Sequence, residues 1–127
     1  MYAFVLERDV GVDLEMIRAE VANERIAENF FSPTEVETLR ALPLEHQAEG
    51  FFDRWTRKEA YVKARGQGLS IELKSFDVWL IPGVEAKILR GDDWRGWSLV
   101  SFKPDHGFVA AMATLGSPLQ IAKRRWL

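Results

Sequence analysis

The residues best suited to chemistry in this sequence begin with two acids close together near its start. Asp13 and Glu15 are two positions apart, so on a β-strand their side chains lie on the same face. Two carboxylates on one face repel each other unless a cation lies between them, and a hard divalent ion such as Mg²⁺ takes oxygen ligands. A polar outer face, or a helix N-terminus that favours acids, would explain the pair without any ligand.

Glu59 and Lys63 form a second pair, four residues apart within a predicted helix. Trp55 lies four residues before Glu59, so these three side chains share one stripe of the helix. Because Trp55 should face the core, we expect Glu59 and Lys63 along the core-facing edge. A glutamate four residues before a lysine is also a common exposed ion pair of helices, and that interpretation stays open.

Together the two pairs predict a site for phosphoryl-type transfer. Glu59 would complete a magnesium site with Asp13 and Glu15, and Lys63 would reach a phosphate bound to the same ion. Such a reaction needs charge neutralisation and positioning, with little covalent chemistry by the protein. A magnesium-dependent diphosphatase of nucleotides would need only the same metal site, so it is an alternative.

Composition and motifs argue against other classes of function. The chain has no cysteine, which excludes a thiolate metal site, a disulfide scaffold and a cysteine nucleophile. Neither His46 nor His106 has an evident triad partner, and no Walker A, dinucleotide-binding or zinc-protease motif occurs. A formal net charge of −2 gives no electrostatic case for a nucleic-acid or membrane partner. Charged residues interrupt the short apolar start at residue 7, so we expect no signal peptide and a cytoplasmic location.

The elements that must position these residues are predicted to form one domain over residues 1–127. Alternating apolar side chains predict strands at residues 2–6 and 10–15, and a helical pattern follows from Met16 to Ile26. Ser32 and Glu35 predict a capping box around Pro33, at the start of a helix that ends before residue 43. A longer helix is expected over residues 45–65, with glycines at 66 and 68 as its breakers.

The remainder of the chain has the pattern of a sheet. Alternation or apolar runs predict strands around residues 76–80, 84–88, 97–101 and 108–113, with turns at 82–83, 91–93 and 104–107. One strand, then helices, then a meander of strands predicts an α+β domain whose antiparallel sheet packs with the long helix. We interpret the basic residues at 123–125 as part of a solvated terminus.

Three segments carry a resemblance to a known family. They are GVDLE at residues 11–15, FFSPTE at residues 30–35 and FFDRWTRKEAYVKARGQGLS at residues 51–70. In order and spacing they resemble the 4′-phosphopantetheinyl transferase superfamily, over most of the chain from about residue 10 to about residue 114. The resemblance implies a single lobe of that fold. It also implies magnesium-dependent transfer of the phosphopantetheine arm of coenzyme A to a serine of an acyl or peptidyl carrier protein, with release of 3′,5′-adenosine bisphosphate.

The resemblance also assigns roles by position. Asp13, Glu15 and Glu59 match the metal carboxylates, and Glu59 also matches the carboxylate that helps to deprotonate the carrier serine. Lys63 matches the lysine that contacts the coenzyme A phosphates and assists the leaving group. Lys58 and Gly66 match positions near the cofactor. Basic residues on or beside the long helix are candidates for contact with an acidic carrier, or they form a solvated face: Arg54, Arg57, Lys58 and Arg65.

The resemblance covers two architectures. Glu15 favours the Sfp type, in which two lobes enclose the site, whereas the length of 127 residues matches the single lobe of the trimeric holo-acyl-carrier-protein synthase type. The chain resembles the C-terminal lobe of an Sfp-type enzyme, so we expect a homo-oligomer, either a dimer or a trimer, with its site at a subunit interface. A non-catalytic lobe that binds a carrier protein or a partner chain is the alternative.

Overall fold

A computed structural model describes residues 10–22, 24–66, 71–78, 88–90 and 96–116. Several sequence predictions lie outside these residues: the strand at 2–6, the glycine breaker at 68, the turns at 82–83 and 91–93, and the basic tail at 123–127. The strand positions at 80, 84 and 86 also lie outside them. That residues 1–127 form one domain stays a prediction.

The described elements follow the predicted order of strand, helices and strands. They are β1 (Val10–Met16), α1 (Glu24–Phe30), α2 (Pro33–Arg40), α3 (Leu44–Arg65), a 3-10 helix (Leu73–Ser75), β2 (Asp77–Val78), β3 (Ile88–Arg90), β4 (Trp97–Phe102) and β5 (Phe108–Leu115). The prediction of an α+β fold with an antiparallel sheet and a long helix is confirmed. No helix within the described ranges has the length and apolar character needed to cross a membrane.

Three strands form an antiparallel sheet in the order β1-β5-β4, and α3 packs on one of its faces. In the register of β1 and β5, Asp13 lies opposite Ala111 and Gly11 lies opposite Ala113. The two alanines are fully buried, so the centre of the sheet offers α3 a surface of small side chains. The strands β2 and β3 form a separate antiparallel pair.

The start of α2 has the capping box that the sequence predicts. The backbone N–H of Glu35 donates to Ser32 Oγ at 3.2 Å, and the backbone N–H of Ser32 donates to Glu35 Oε1 at 3.0 Å. Pro33 occupies the first turn, where its missing N–H leaves no donor unpaired. These reciprocal bonds satisfy two backbone donors at the helix end and bury the Glu35 carboxylate.

The prediction that a helical pattern begins at Met16 is wrong. Met16 is the last residue of β1 and lies opposite Phe108 of β5. The next backbone N–H, that of Ile17, donates to the carbonyl of Gly107 at 2.8 Å. Pairing with β5 thus satisfies backbone groups that a helix would otherwise use, and α1 begins only at Glu24.

The strand β1 lies against the backbone of α3 at Gly11. A Cβ atom added to Gly11 would be 2.1 Å from the Ala60 carbonyl oxygen and 2.4 Å from the Ala64 backbone nitrogen. Both of those atoms belong to helix backbone, so they have no flexible side chain that could move aside. The absence of a side chain at Gly11 therefore brings this face of β1 into direct contact with α3.

We expect Gly11→Ala to lower the free energy of unfolding by about 2 kcal/mol or more, because the added methyl group must separate β1 from α3. Urea unfolding followed by tryptophan fluorescence measures the change. Glu37→Ala, at an exposed position of α2, is the matched control and should change the free energy by no more than about 0.5 kcal/mol. Equal stability of Gly11→Ala and the parent protein would contradict this close approach.

Candidate active site between β1 and α3

Asp13 is the most buried acid of the predicted site. Its side chain faces α3 and is 7% exposed, and its Oδ1 atom accepts a bond from Lys63 Nζ at 2.7 Å. Lys63 comes from the last turns of α3, and its side chain is half exposed. The structure thus pairs Lys63 with Asp13, fifty residues earlier in the chain.

Glu15 lies two residues further along the same face of β1 and is half-buried. Burial raises the pKa of Glu15, the negative charge of Asp13 raises it further, and a hydrogen bond from protonated Glu15 to Asp13 adds to the effect. A hydrogen bond with Trp55 and the charge of Lys63 act in the opposite direction. Glu15 therefore ionises less readily than an ordinary glutamate.

Glu59 brings a third carboxylate to this site from α3 and is also half-buried. Burial is the largest cause of its raised pKa, the charge of Asp13 is the second, and Lys63 lowers the value in part. Asp13 thus acts on the ionisation of both glutamates, so the three acids form one electrostatic group. The stripe predicted from the spacing of Glu59 and Lys63 does face β1.

Two phenylalanines hold the ring of Trp55 beside this group. The Phe30 ring meets it edge to face, with 5.2 Å between the ring centroids. The Phe51 ring is stacked on it, with 6.2 Å between centroids and 9° between ring planes. The contacts fix the orientation of Trp55, which hydrogen-bonds Glu15.

The acids fit a hard cation in their chemistry, although they do not form a complete ligand set. Within the described ranges, no three His, Cys, Asp or Glu side chains are arranged to hold a metal ion. Asp13 Oδ2, however, is buried and has no hydrogen-bond partner there. A buried carboxylate oxygen without a donor, in an acid whose charge raises the pKa of two neighbouring glutamates, is the arrangement that a divalent cation relieves.

The structure places Lys58 away from this group. Its side chain is fully buried, and its ammonium bonds to Glu35 and to two backbone carbonyls. A direct contact with a cofactor would require Lys58 to leave these partners. Gly66 ends α3 with a positive φ of 112°, a conformation that glycine adopts readily. The cofactor contacts of both residues stay predictions.

The basic residues considered for carrier recognition are mostly inside the protein. Arg54 is 2% exposed and Arg57 is 9% exposed, so neither forms the solvated helix face considered above. Arg57 Nε donates to Ser101 Oγ at 2.6 Å. Arg65 is half-buried and donates to the Tyr61 hydroxyl at 2.7 Å. The prediction of a basic docking face on α3 is therefore wrong for Arg54, Arg57 and the buried Lys58.

Gly11 and Trp55 shape the site, although the motifs assign neither of them a role there. Gly11 lies two residues before Asp13 and four before Glu15, so the strand pattern predicts that it shares their face toward α3. The bond between Trp55 and Glu15 had no such signal, because it joins residues of two elements whose separation only the packing determines.

Fold and site together define an α+β domain with a cluster of acids and a lysine between its first strand and its long helix. The sequence model of the 4′-phosphopantetheinyl transferase superfamily matches residues 9–113. The chain belongs to that superfamily, as its sequence motifs predict.

The similar proteins include transferases of about twice the length. The 4′-phosphopantetheinyl transferase HetI of Nostoc is 41% identical over 109 residues, which cover 86% of this chain and 44% of that protein. The transferase Sfp of Bacillus subtilis is 31% identical over 103 residues, which cover 81% of this chain and 45% of that protein. The chain thus spans less than half of either relative.

Solved structures share the fold of the chain at lower sequence identity. The Thermotoga maritima holo-[acyl-carrier-protein] synthase has a TM-score of 0.65 and 21% identity, covering 87% of this chain and 64% of that one. The Helicobacter pylori synthase in complex with coenzyme A has a TM-score of 0.63 and 21% identity, covering 84% of this chain and 99% of that one. These likenesses confirm the predicted class of fold.

We expect Glu59→Gln to stabilise the protein near pH 7 by less than about 1 kcal/mol, since the site is half open to solvent. The pKa of Glu59 is raised in the folded state. The parent protein therefore loses stability as the pH rises from the ordinary glutamate pKa through the raised one. The variant has no such loss, so its advantage should vanish below about pH 4.

Urea unfolding between pH 4 and 8 tests this expectation. Glu37→Gln, at an exposed position of α2, is the matched control for the loss of one negative charge. A stability difference between Glu59→Gln and the parent protein that is the same at acid and neutral pH would show that ionisation of Glu59 is not its cause.

Proposed function

We propose that this chain transfers the 4′-phosphopantetheine group of coenzyme A to a serine of an acyl or peptidyl carrier protein. The observation that carries the proposal is the cluster of Asp13, Glu15, Glu59 and Lys63 between β1 and α3. The superfamily match and the names of the two relatives support the same activity. The Helicobacter pylori synthase was solved in complex with coenzyme A, which supports coenzyme A as the co-substrate.

Mg²⁺ is the proposed cofactor, and Asp13, Glu15 and Glu59 are the residues that would hold it. When bound, Mg²⁺ would neutralise charge on the diphosphate of coenzyme A. The unpartnered Oδ2 of Asp13 supports this assignment.

Glu59 and Lys63 are the proposed catalytic residues. Burial raises the pKa of Glu59, which brings its basicity closer to that needed to accept a proton from the carrier serine at neutral pH. Lys63 has a half-exposed side chain, so a phosphate of coenzyme A can approach its ammonium from solvent. There it would stabilise the charge on the departing 3′,5′-adenosine bisphosphate.

A homo-oligomer, dimeric or trimeric, is part of the proposal, and so is a cytoplasmic location. Two apolar side chains on β1, at one end of the described sheet, support association, since Leu14 is 38% exposed and Met16 is 48% exposed. They alternate with Asp13 and Glu15 along β1, so a second copy covering them would pack on the face of β1 opposite the acids. Light scattering on the purified protein measures the oligomeric state.

We expect the protein to increase the mass of an apo carrier protein when coenzyme A and Mg²⁺ are present. Lys63→Met should lower kcat/KM about 100-fold or more, because it removes charge stabilisation at the phosphate. Glu37→Gln should retain full activity, and a carrier without its acceptor serine should gain no mass. Absence of any mass gain at high enzyme concentration, with the oligomer confirmed, would contradict the proposed activity.

The alternative is a non-catalytic lobe that binds a carrier protein or a partner chain. It is favoured by the incomplete ligand set in the described residues. Calorimetry with coenzyme A and Mg²⁺ separates the two functions. The transferase predicts binding in the micromolar range that Asp13→Ala abolishes, whereas the alternative predicts no binding that depends on Asp13.

A further inference from the structure

A second charged cluster, formed by Glu35 of α2 with Arg54 and Lys58 of α3, is separate from the candidate active site. Glu35 and Arg54 are each 2% exposed, and Lys58 is fully buried. Burial lowers the pKa of Lys58, and the charge of Glu35 opposes that effect. Charged groups this far from water persist only where partners satisfy them, so the contacts of the cluster indicate what it holds together.

The Lys58 ammonium connects α3 to the segment that contains the 3-10 helix and β2. Its Nζ atom contacts Glu35 Oε1 at 2.5 Å and donates to the Phe76 carbonyl at 2.6 Å. It also donates to the Leu73 carbonyl. These contacts account for the three N–H donors of a lysine, so none is left over for a ligand.

Glu35 connects α2 both to α3 and to β2. Its Oε1 accepts the Ser32 N–H of the capping box, and its Oε2 accepts the Val78 N–H of β2 at 3.0 Å. Arg54 of α3 lies 3.4 Å from Oε2 and donates to the Glu35 carbonyl at 2.6 Å. Three separate parts of the fold therefore meet at the Glu35 carboxylate.

Lys58 and Glu59 are neighbours in α3, so their side chains leave the helix about 100° apart. Lys58 points to the Glu35 cluster, whereas Glu59 lies in the acidic group with Asp13. We propose that Lys58 is a positioning residue that sets the rotation of α3 about its axis, and so the place of Glu59 and Lys63, without touching coenzyme A. The statement about coenzyme A rests on the proposed function, whereas the positioning role of Lys58 does not.

The charges of the cluster allow a test of this role. Removing Lys58 alone should disturb the position of α3, and removing Glu35 together with Lys58 should restore it. Glu35 and Asp77 carry negative charge, and Arg54 and Lys58 carry positive charge, with Asp77 acting on both bases. Lys58→Met leaves an excess of negative charge in the protein interior. The double variant Glu35→Gln with Lys58→Met leaves Arg54 balanced by Asp77.

The first experiment uses the protein alone. We expect Lys58→Met to lower the folding equilibrium constant at least about 100-fold, because it breaks a buried pair, and the double variant to recover at least about tenfold of that loss. The indole N–H resonance of Trp55, assigned with Trp55→Phe, reports the position of α3 against Glu15. It should shift in Lys58→Met and return toward the parent position in the double variant.

The second experiment measures coenzyme A binding by calorimetry below the unfolding range of every variant. A positioning role predicts that Lys58→Met weakens binding about tenfold and that the double variant returns to within about threefold of the parent protein. Lys63→Met is the comparison for a proposed direct contact, and adding Glu35→Gln to it should restore nothing. If Lys58→Met does not fold, coenzyme A binding by the double variant alone decides between a positioning role and a direct contact of Lys58.

Two results would overturn the inference. One is a Trp55 resonance that stays in place in Lys58→Met although the folding constant drops, which would make the cluster a source of stability only. The other is binding that stays weak in a well-folded double variant, which would make Lys58 a ligand of coenzyme A. If the parent protein binds no coenzyme A, the proposed function fails, whereas the Trp55 measurement still tests the positioning role.

Discussion

The direct contact between the backbones of β1 and α3 at Gly11 is the constraint on which the candidate site depends. Any larger residue there would meet the carbonyl of Ala60 and the backbone of Ala64. Because no side chain separates the two elements, the acids that follow Gly11 on the same face reach α3. A strand held further away would leave Asp13 too distant to bond Lys63.

The close packing of β1 against α3 also changes the ionisation of the acids in the site. Burial raises the pKa of Glu15 and of Glu59, and each value is raised further by the charge of Asp13. The Glu35 cluster between α2 and α3 differs, since its acids and bases balance and the Glu35 carboxylate has donors on both oxygens. Asp13 retains an unpartnered buried oxygen. The Glu35 cluster has balanced charges and joins α2, α3 and β2, whereas the acids around Asp13 have the charge imbalance that a bound cation relieves.

Local patterns predicted the elements that depend on local physics. The capping box at Ser32 and the long helix α3 follow from side chains near in sequence, and both are confirmed. The end of β1 could not be predicted in this way, because pairing with β5 carries the strand through Met16. The basic residues of α3 were misplaced for a related reason, since the partners that bury Arg54 and Lys58 lie in α2 and around β2.

The sequence by itself determined which groups are available for chemistry and which faces they share. Asp13 with Glu15 on a strand, and Glu59 with Lys63 on a helix, follow from the repeats of the two kinds of backbone. The sequence motifs also predicted the superfamily, and the match over residues 9–113 confirms that prediction. Only the tertiary structure decided that the two pairs meet and that Lys58 points away from them. Packing alone determines distances between residues far apart in sequence, and these distances determine which charges share a buried environment.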